Sequence, residues 1–313
     1  MSSDALNAIK TSIDEERFGL VTVALNDFLL MDLPPREYLL EPWLPKAGIC
    51  MVYAKRGVGK TFFALEIAMA VACGIPFLSF NAPKPAKVLY IDGEMPANVM
   101  QERFSKIMGR ITPSTLMQQP RIITPDLQHG FMPDLSTESG QDVIRPYTDE
   151  ADLIIIDNIS TLGGCSKENE AQSWFPLQQL ALELRRQGKS VLFIHHAGKS
   201  GTQRGTSKRE DILDTSILLK HPSDYEPSSG ACFELHFEKA RGMVGEAVNP
   251  VYCWLTDEGW KYEALEDSNY HRAIELANQG LNQTEVATEL ELSKGYVSKL
   301  FKKGKALGVI NPK

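Results

Sequence analysis

Residues 54–61 read AKRGVGKT and lie between an apolar run, ICMVYA, and an apolar helical pattern, TFFALEIAMAVACG. That is the strand–loop–helix setting in which a G-x-x-x-x-G-K-[ST] loop cradles phosphate. Gly57 and Gly59 let backbone N–H groups curl toward phosphate oxygens with no side chain in the way, and Ala54, Lys55, Arg56 and Val58 complete the loop ahead of Phe62. Lys60 is placed to reach the terminal phosphates and Thr61 to set its hydroxyl on Mg2+. The amino end of the following helix adds partial positive charge. Ala54 stands where the pattern has its first glycine, a position that mainly starts the turn. The chemistry expected is binding of ATP with Mg2+ and transfer of its γ-phosphoryl group.

Such chemistry needs acids at the same end of the sheet. The run DLIIID ends in Asp157, and an acid at the carboxyl end of a central strand is where a Mg2+-bound water is held. The run KVLYIDGEMP carries Asp92 and Glu94 just past another strand. Glu94, on the loop beyond the strand, is the better candidate to polarise an attacking water, with Asp92 in a structural part. A third run, SVLFIHH, ends in His195 and His196. On its own a histidine pair reads as a buried hydrogen-bonding pair, because a metal site wants further ligands nearby.

The order AKRGVGKT, VLYIDGEM, LIIIDNISTL, VLFIHHAGKSG resembles the RecA/DnaB/KaiC superfamily over about residues 38–245, and within it the plasmid RepA-type hexameric helicases and related mobile-element ATPases. The resemblance implies that Glu94 is the catalytic base, Asp157 the Mg2+ acid, and His195 or His196 the sensor of the γ-phosphate. It implies that the loop GKSGTQRGTSKRED faces a central channel and touches DNA through Lys199, Arg204, Lys208 and Arg209; without it the segment reads as a solvated loop. It also gives Lys239 and Arg241, in FEKARGM, the part of a K-x-R pair reaching a neighbouring subunit's nucleotide. A finger of that sort contributes about 10³–10⁵ in rate.

Elements follow from the patterning. Short apolar runs at 49–54, 87–92, 152–157, 190–196 and 215–220 read as buried strands, and helical patterns at 61–74, 98–109 and 173–188 separate several of them. The last of these is expected to hold Pro176 in its first turn. Alternation of this kind predicts an α/β fold with a mostly parallel sheet covered by helices on both faces, and the resemblance implies that it is a RecA-like P-loop NTPase core. CFELHFEKARGM and VYCWLTDEGWKYEAL read as hairpin strands. The organisation expected is an N-terminal extension (1–37), an ATPase domain (38–263), a short polar linker (264–268) and a C-terminal domain (269–313).

The C-terminal stretch has the pattern of a helix-turn-helix that could begin a wing at GVINP. Ala273, Ile274 and Ala277 give one apolar face, Val286 and Leu290 a second, and Val297, Leu300 and Phe301 a third behind a Ser293 cap. Glu291 stands where that motif often has glycine. Lys294, Lys299, Lys302, Lys303 and Lys305 lie on or after the third helix, where lysines meet phosphates. A small helical domain that docks proteins fits the same pattern.

Charge sharpens this division. The 313 residues carry 33 basic and 40 acidic groups, net −7, which argues against indiscriminate coating of nucleic acid. Yet residues 294–313 hold six lysines and no acid, so the likeliest DNA contact lies at that end. The five scattered cysteines form no C-x-x-C pair and read as buried reduced thiols. The opening MSSDALNAIKTSIDEER is polar and acidic, so neither a secretory nor a transit leader is expected, and no run reaches membrane-spanning length; a cytoplasmic place fits. Three functions remain. The leading one is a hexameric DNA helicase or translocase in replication of a plasmid, phage or integrated element, working with other replication proteins. The others are an ATP-dependent DNA-binding regulator or initiator, and a KaiC- or RadA-like ATPase in signalling or recombination.

Overall fold

The computed structural model describes residues 21–112, 118–164, 170–197, 211–223 and 225–310. Contacts divide the chain after Glu37. In the first unit, a short helix α1 (Leu25–Leu30) buries none of its residues.

The second unit is built on a nine-stranded sheet. Its strands are β3 (Ile49–Ala54), β4 (Val88–Asp92), β5 (Arg121–Ile123), β6 (Leu153–Asp157), β7 (Ser190–His196), β8 (Thr215–Lys220), β9 (Cys232–Ala240), β10 (Val251–Thr256) and β11 (Gly259–Ala264). A separate small ladder pairs β1 (Tyr38–Leu40) with β2 (Leu44–Pro45). The order across the large sheet is β11-β10-β9-β8-β3-β7-β6-β4-β5. From β5 to β8 all neighbours are parallel, and β9, β10 and β11 continue one edge as an antiparallel meander.

Alternating residues of the central strands divide between two cores, as a sheet buried on both faces requires. On one face Cys50, Val52, Tyr90, Ile155 and Leu192 pack with α2 (Lys60–Cys73) and α3 (Ala97–Met108). On the other, Met51, Ile91, Ile154, Ile156 and Phe193 pack with α4 (Glu138–Asp149) and α6 (Glu170–Arg186), while α5 (Ile159–Leu162) caps the end of β6. Helix α6 begins three residues earlier than its pattern suggested, so Pro176 lies inside it rather than in its first turn. The short β5 and the helix α4, with Pro146 inside it, lie outside the runs read from the sequence.

Three helices end the described chain: α7 (Leu265–Asn278), α8 (Gln283–Glu289) and α9 (Lys294–Ala306). Tyr270, Ala273, Ile274, Val286, Leu290, Val297, Leu300 and Phe301 form their shared core. Asn282 and Glu285 make a reciprocal capping box on α8, and Ser293 caps α9 through the Tyr296 N–H at 3.2 Å. The expected linker at 264–268 is corrected: Ala264 ends β11, Leu265 starts α7, and Leu265 and Ser268 are buried. Glu266 and Asp267 looked like linker residues because they are acidic, but in the first helical turn they complement the helix dipole. Among the described residues no helix is long and apolar enough to cross a membrane, and Cys50, Cys73, Cys232 and Cys253 are buried. Cys165 lies outside the described residues.

Candidate functional site

The strand order brings the chemistry-bearing ends together. Ala54 pairs with His196, and Asp92 with Asp157, so the carboxyl ends of β3, β7, β6 and β4 share one rim of the sheet. The phosphate loop leaves β3 there. Ala54 is still in the strand and needs no unusual backbone, which is why alanine serves at that position. Gly57 (φ 85°) and Gly59 (φ 114°) take left-handed conformations that only glycine adopts without cost. They turn the chain into α2, whose first residue is Lys60.

Lys60 is 6% exposed, and its Nζ donates to the carbonyls of Ala54 at 3.1 Å and Lys55 at 3.0 Å. Burial lowers its pKa to about 8 against the opposing pull of Asp157 and Glu94. A cation held with so little water is poised to meet a polyphosphate. Asp157 is also buried, which raises its pKa, while hydrogen bonds from Tyr90 and Thr61 work the other way. The Tyr90 hydroxyl donates to Asp157 Oδ2 at 2.7 Å. Thr61 and Asp157 therefore meet as a pair of hard oxygen donors, which suits Mg2+ bound through one carboxylate plus substrate oxygens. Among the described residues no cluster of three His, Cys, Asp or Glu side chains offers an all-protein metal cage.

Glu94 projects from the loop beyond β4 with 56% of its side chain exposed. Asn158 Nδ2 donates to its Oε2 at 2.5 Å, and His196 Nε2 lies 3.7 Å from the same oxygen and 3.4 Å from Asn158 Nδ2. Asp92 lines the cleft and its carboxylate also braces the turn after β4. Its Oδ2 accepts from the Met95 N–H at 2.8 Å and the Glu94 N–H at 3.3 Å, tying down the turn that presents Glu94. Burial raises the Asp92 pKa to about 6. Of the two histidines, His196 lines the cleft while His195, 3% exposed, does not. Burial and the Lys60 charge lower the His196 pKa, favouring a neutral ring.

These residues line a cleft of about 580 Å³. Its flanks hold residues that the motif spacing does not mark: Arg103, Asn158, Tyr225 and Gly230. Arg103, on α3, lays its guanidinium 4.0 Å over the Phe62 ring, which gives Phe62 a second contact at the cleft wall. Val99 and Arg103, four residues apart, share one helical face, a weak signal available in the pattern.

Lys239 and Arg241 stand elsewhere. Ala240 pairs with Thr215, and Thr215 with Cys50, whereas the phosphate loop follows Ala54. Arg241 is thus displaced from its own loop by about five residues, roughly 17 Å of strand. Lys199, Arg204, Lys208 and Arg209 lie outside the described residues. In the C-terminal helices Lys294, Lys299, Lys302 and Lys305 are exposed, and Lys303 sets its ammonium 4.5 Å over the Tyr270 ring.

Comparison with known proteins adds two findings. A family model described as AAA domain matches residues 14–202, a span holding the phosphate loop, Glu94, Asp157 and His196. The KaiC-like protein of the hyperthermophilic archaeon Pyrococcus horikoshii has a similar fold, with a TM-score of 0.50 at 14% identity, covering 72% of this chain and 93% of that one.

Proposed function

The chain belongs to the AAA domain family of RecA-like P-loop ATPases, and from that premise we propose that it is an oligomeric ATPase, a ring of subunits that moves on DNA during replication of a mobile element. The observation that carries the hydrolytic part is Glu94, held by Asn158 beside the phosphate loop and next to His196.

The chain's own groups divide the work. Gly57 and Gly59 shape the loop whose N–H groups bind the phosphates, and Lys60 neutralises charge on the terminal ones. Thr61 and Asp157 would hold Mg2+, which supplies charge neutralisation between the outer phosphates when bound. Glu94 accepts a proton from the attacking water, Asn158 fixes the carboxylate's direction, and His196 reports on the γ-phosphate. The distance of Arg241 from its own loop supports action on a neighbour's nucleotide, so that each site is complete only in the oligomer.

The DNA part rests on the exposed lysines of α9, read as the third helix of a helix-turn-helix, and on Lys199, Arg204, Lys208 and Arg209 as channel residues. The test is ATP turnover and particle mass measured together, with and without single-stranded DNA. Stimulated turnover by a multi-subunit particle supports the reading. Further support is loss of turnover in Arg241→Ala and partial recovery when that variant is mixed with a Glu94 variant. A monomer with DNA-independent turnover and no recovery contradicts it.

A further inference from the structure

We propose that Phe233 is a positioning residue for the nucleotide: it supports the Gly59 peptide of the phosphate loop and couples it, through Trp260, to the strand that carries the C-terminal helices. This rests on the reading of the cleft as the ATP site.

Gly59 has no side chain, and a Cβ built there would lie 3.8 Å from both Cδ1 and Cε1 of Phe233. The edge of the Phe233 ring therefore faces the open side of Gly59, across a space of about one methyl group. The ring is fully buried and held from two further directions. Phe63, whose N–H donates to the Gly59 carbonyl at 3.0 Å, meets it edge-on with centroids 5.7 Å apart. Trp260 packs against it at 5.0 Å and also meets Phe77 at 6.5 Å. In a close-packed interior a planar ring pinned in this way has one orientation, whereas a flexible side chain of similar volume has several.

Phe233 is also where the cleft wall is anchored. It follows Gly230 and Ala231, which line the cleft together with Tyr225 and Pro227. At the other end of this wall Lys220 closes β8, and its Nζ lies 4.0 Å from Glu291 Oε2, in the turn between α8 and α9. Trp260 lies on β11, paired with Leu255, and β11 runs straight into α7 at Leu265. Both ends of the wall thus touch elements joined to the C-terminal helices, and the Phe233 end reaches the phosphate loop through Phe63 and its bond to the Gly59 carbonyl. Movement of those helices is transmitted to the loop by packing, and nucleotide in the loop is felt at Trp260.

Four variants test this: Phe233→Met, Phe233→Leu, Trp260→Ala and Trp260→Phe. Loss of the aromatic plate raises the KM for ATP by about 10-fold and changes kcat less, because loop N–H groups drift from the phosphates they should meet. Trp260→Phe keeps a ring against Phe233 and restores the wild-type KM. Mg2+-ADP changes tryptophan fluorescence in the wild type, the change disappears in Trp260→Phe, and it shrinks in Phe233→Met. A cooperatively folded Phe233→Met with wild-type KM and an undiminished fluorescence change overturns the proposal. Where the Phe233 variants do not fold, a wild-type KM in Trp260→Ala, on the half-buried side of the pair, overturns it equally. A wild type that neither binds nor hydrolyses nucleotide instead removes the reading of the site itself.

Discussion

Asn158 donates a 2.5 Å hydrogen bond to Glu94, so the residue directly after Asp157 fixes the direction of the carboxylate proposed to activate water. The two are 64 residues apart in the chain and meet because β4 and β6 are neighbours in the sheet. Replacing Asn158 with Ala leaves Glu94 in place but free to turn. Steady-state phosphate release is expected to fall by about 10²-fold in kcat, the lower end of what a positioned base contributes. ATP affinity should change little. Unchanged kcat would show that Glu94 needs no orienting partner.

Tyr90→Phe removes the hydroxyl that donates to Asp157 at 2.7 Å. The ring stays in the core, and the lost hydrogen bond to a carboxylate costs about 1.5–3 kcal/mol. Without it the carboxylate rotates more freely, and more Mg2+ is needed for half-maximal turnover. A titration of activity against Mg2+ at saturating ATP measures this. An unshifted midpoint would mean that Tyr90 serves packing alone.

The Asp92 pKa, raised to about 6 by burial, sets a pH-dependent term in stability. The folded value lies above the unfolded one of 3.8, so the folded protein binds the proton more tightly. The favourable contribution is full below pH 3.8 and is lost as pH rises through about 6. Asp92→Asn mimics the uncharged form. Its melting temperature relative to the wild type should therefore be higher at pH 7.5 than at pH 4.5. A difference independent of pH would place the ionisation elsewhere.

Glu291 has φ 50°, a left-handed conformation that costs a residue bearing a Cβ. Its ion pair with Lys220, at 4.0 Å between exposed side chains, returns little. Glu291→Gly should stabilise the protein by about 0.5–1 kcal/mol once the added freedom of the unfolded chain is allowed for. Urea unfolding with an unchanged slope and a raised midpoint would confirm it. A lowered midpoint would mean that the Glu291 side chain holds the turn.

The phosphate loop was legible because its glycines, lysine and threonine are contiguous and its flanks have different periodicities. The core strands were legible for a related reason: buried parallel strands read as unbroken apolar runs such as LIIID. Asn158, Tyr90 and Arg103 were not marked, since each acquires its part from a neighbour remote in sequence. His195 and His196 could not be separated until the sheet showed which one reaches the cleft. The segment ALEDS failed for a different reason. Five residues are too few to show helical periodicity, and acids in a first helical turn look the same as acids in a linker.

The most direct measurement is ATP binding and hydrolysis by Glu94→Gln, which keeps the side chain's shape and removes its basicity. Nucleotide should bind with near wild-type affinity, while phosphate release falls by about 10²–10⁴-fold. Hydrolysis at the wild-type rate in this variant would contradict the account of the site.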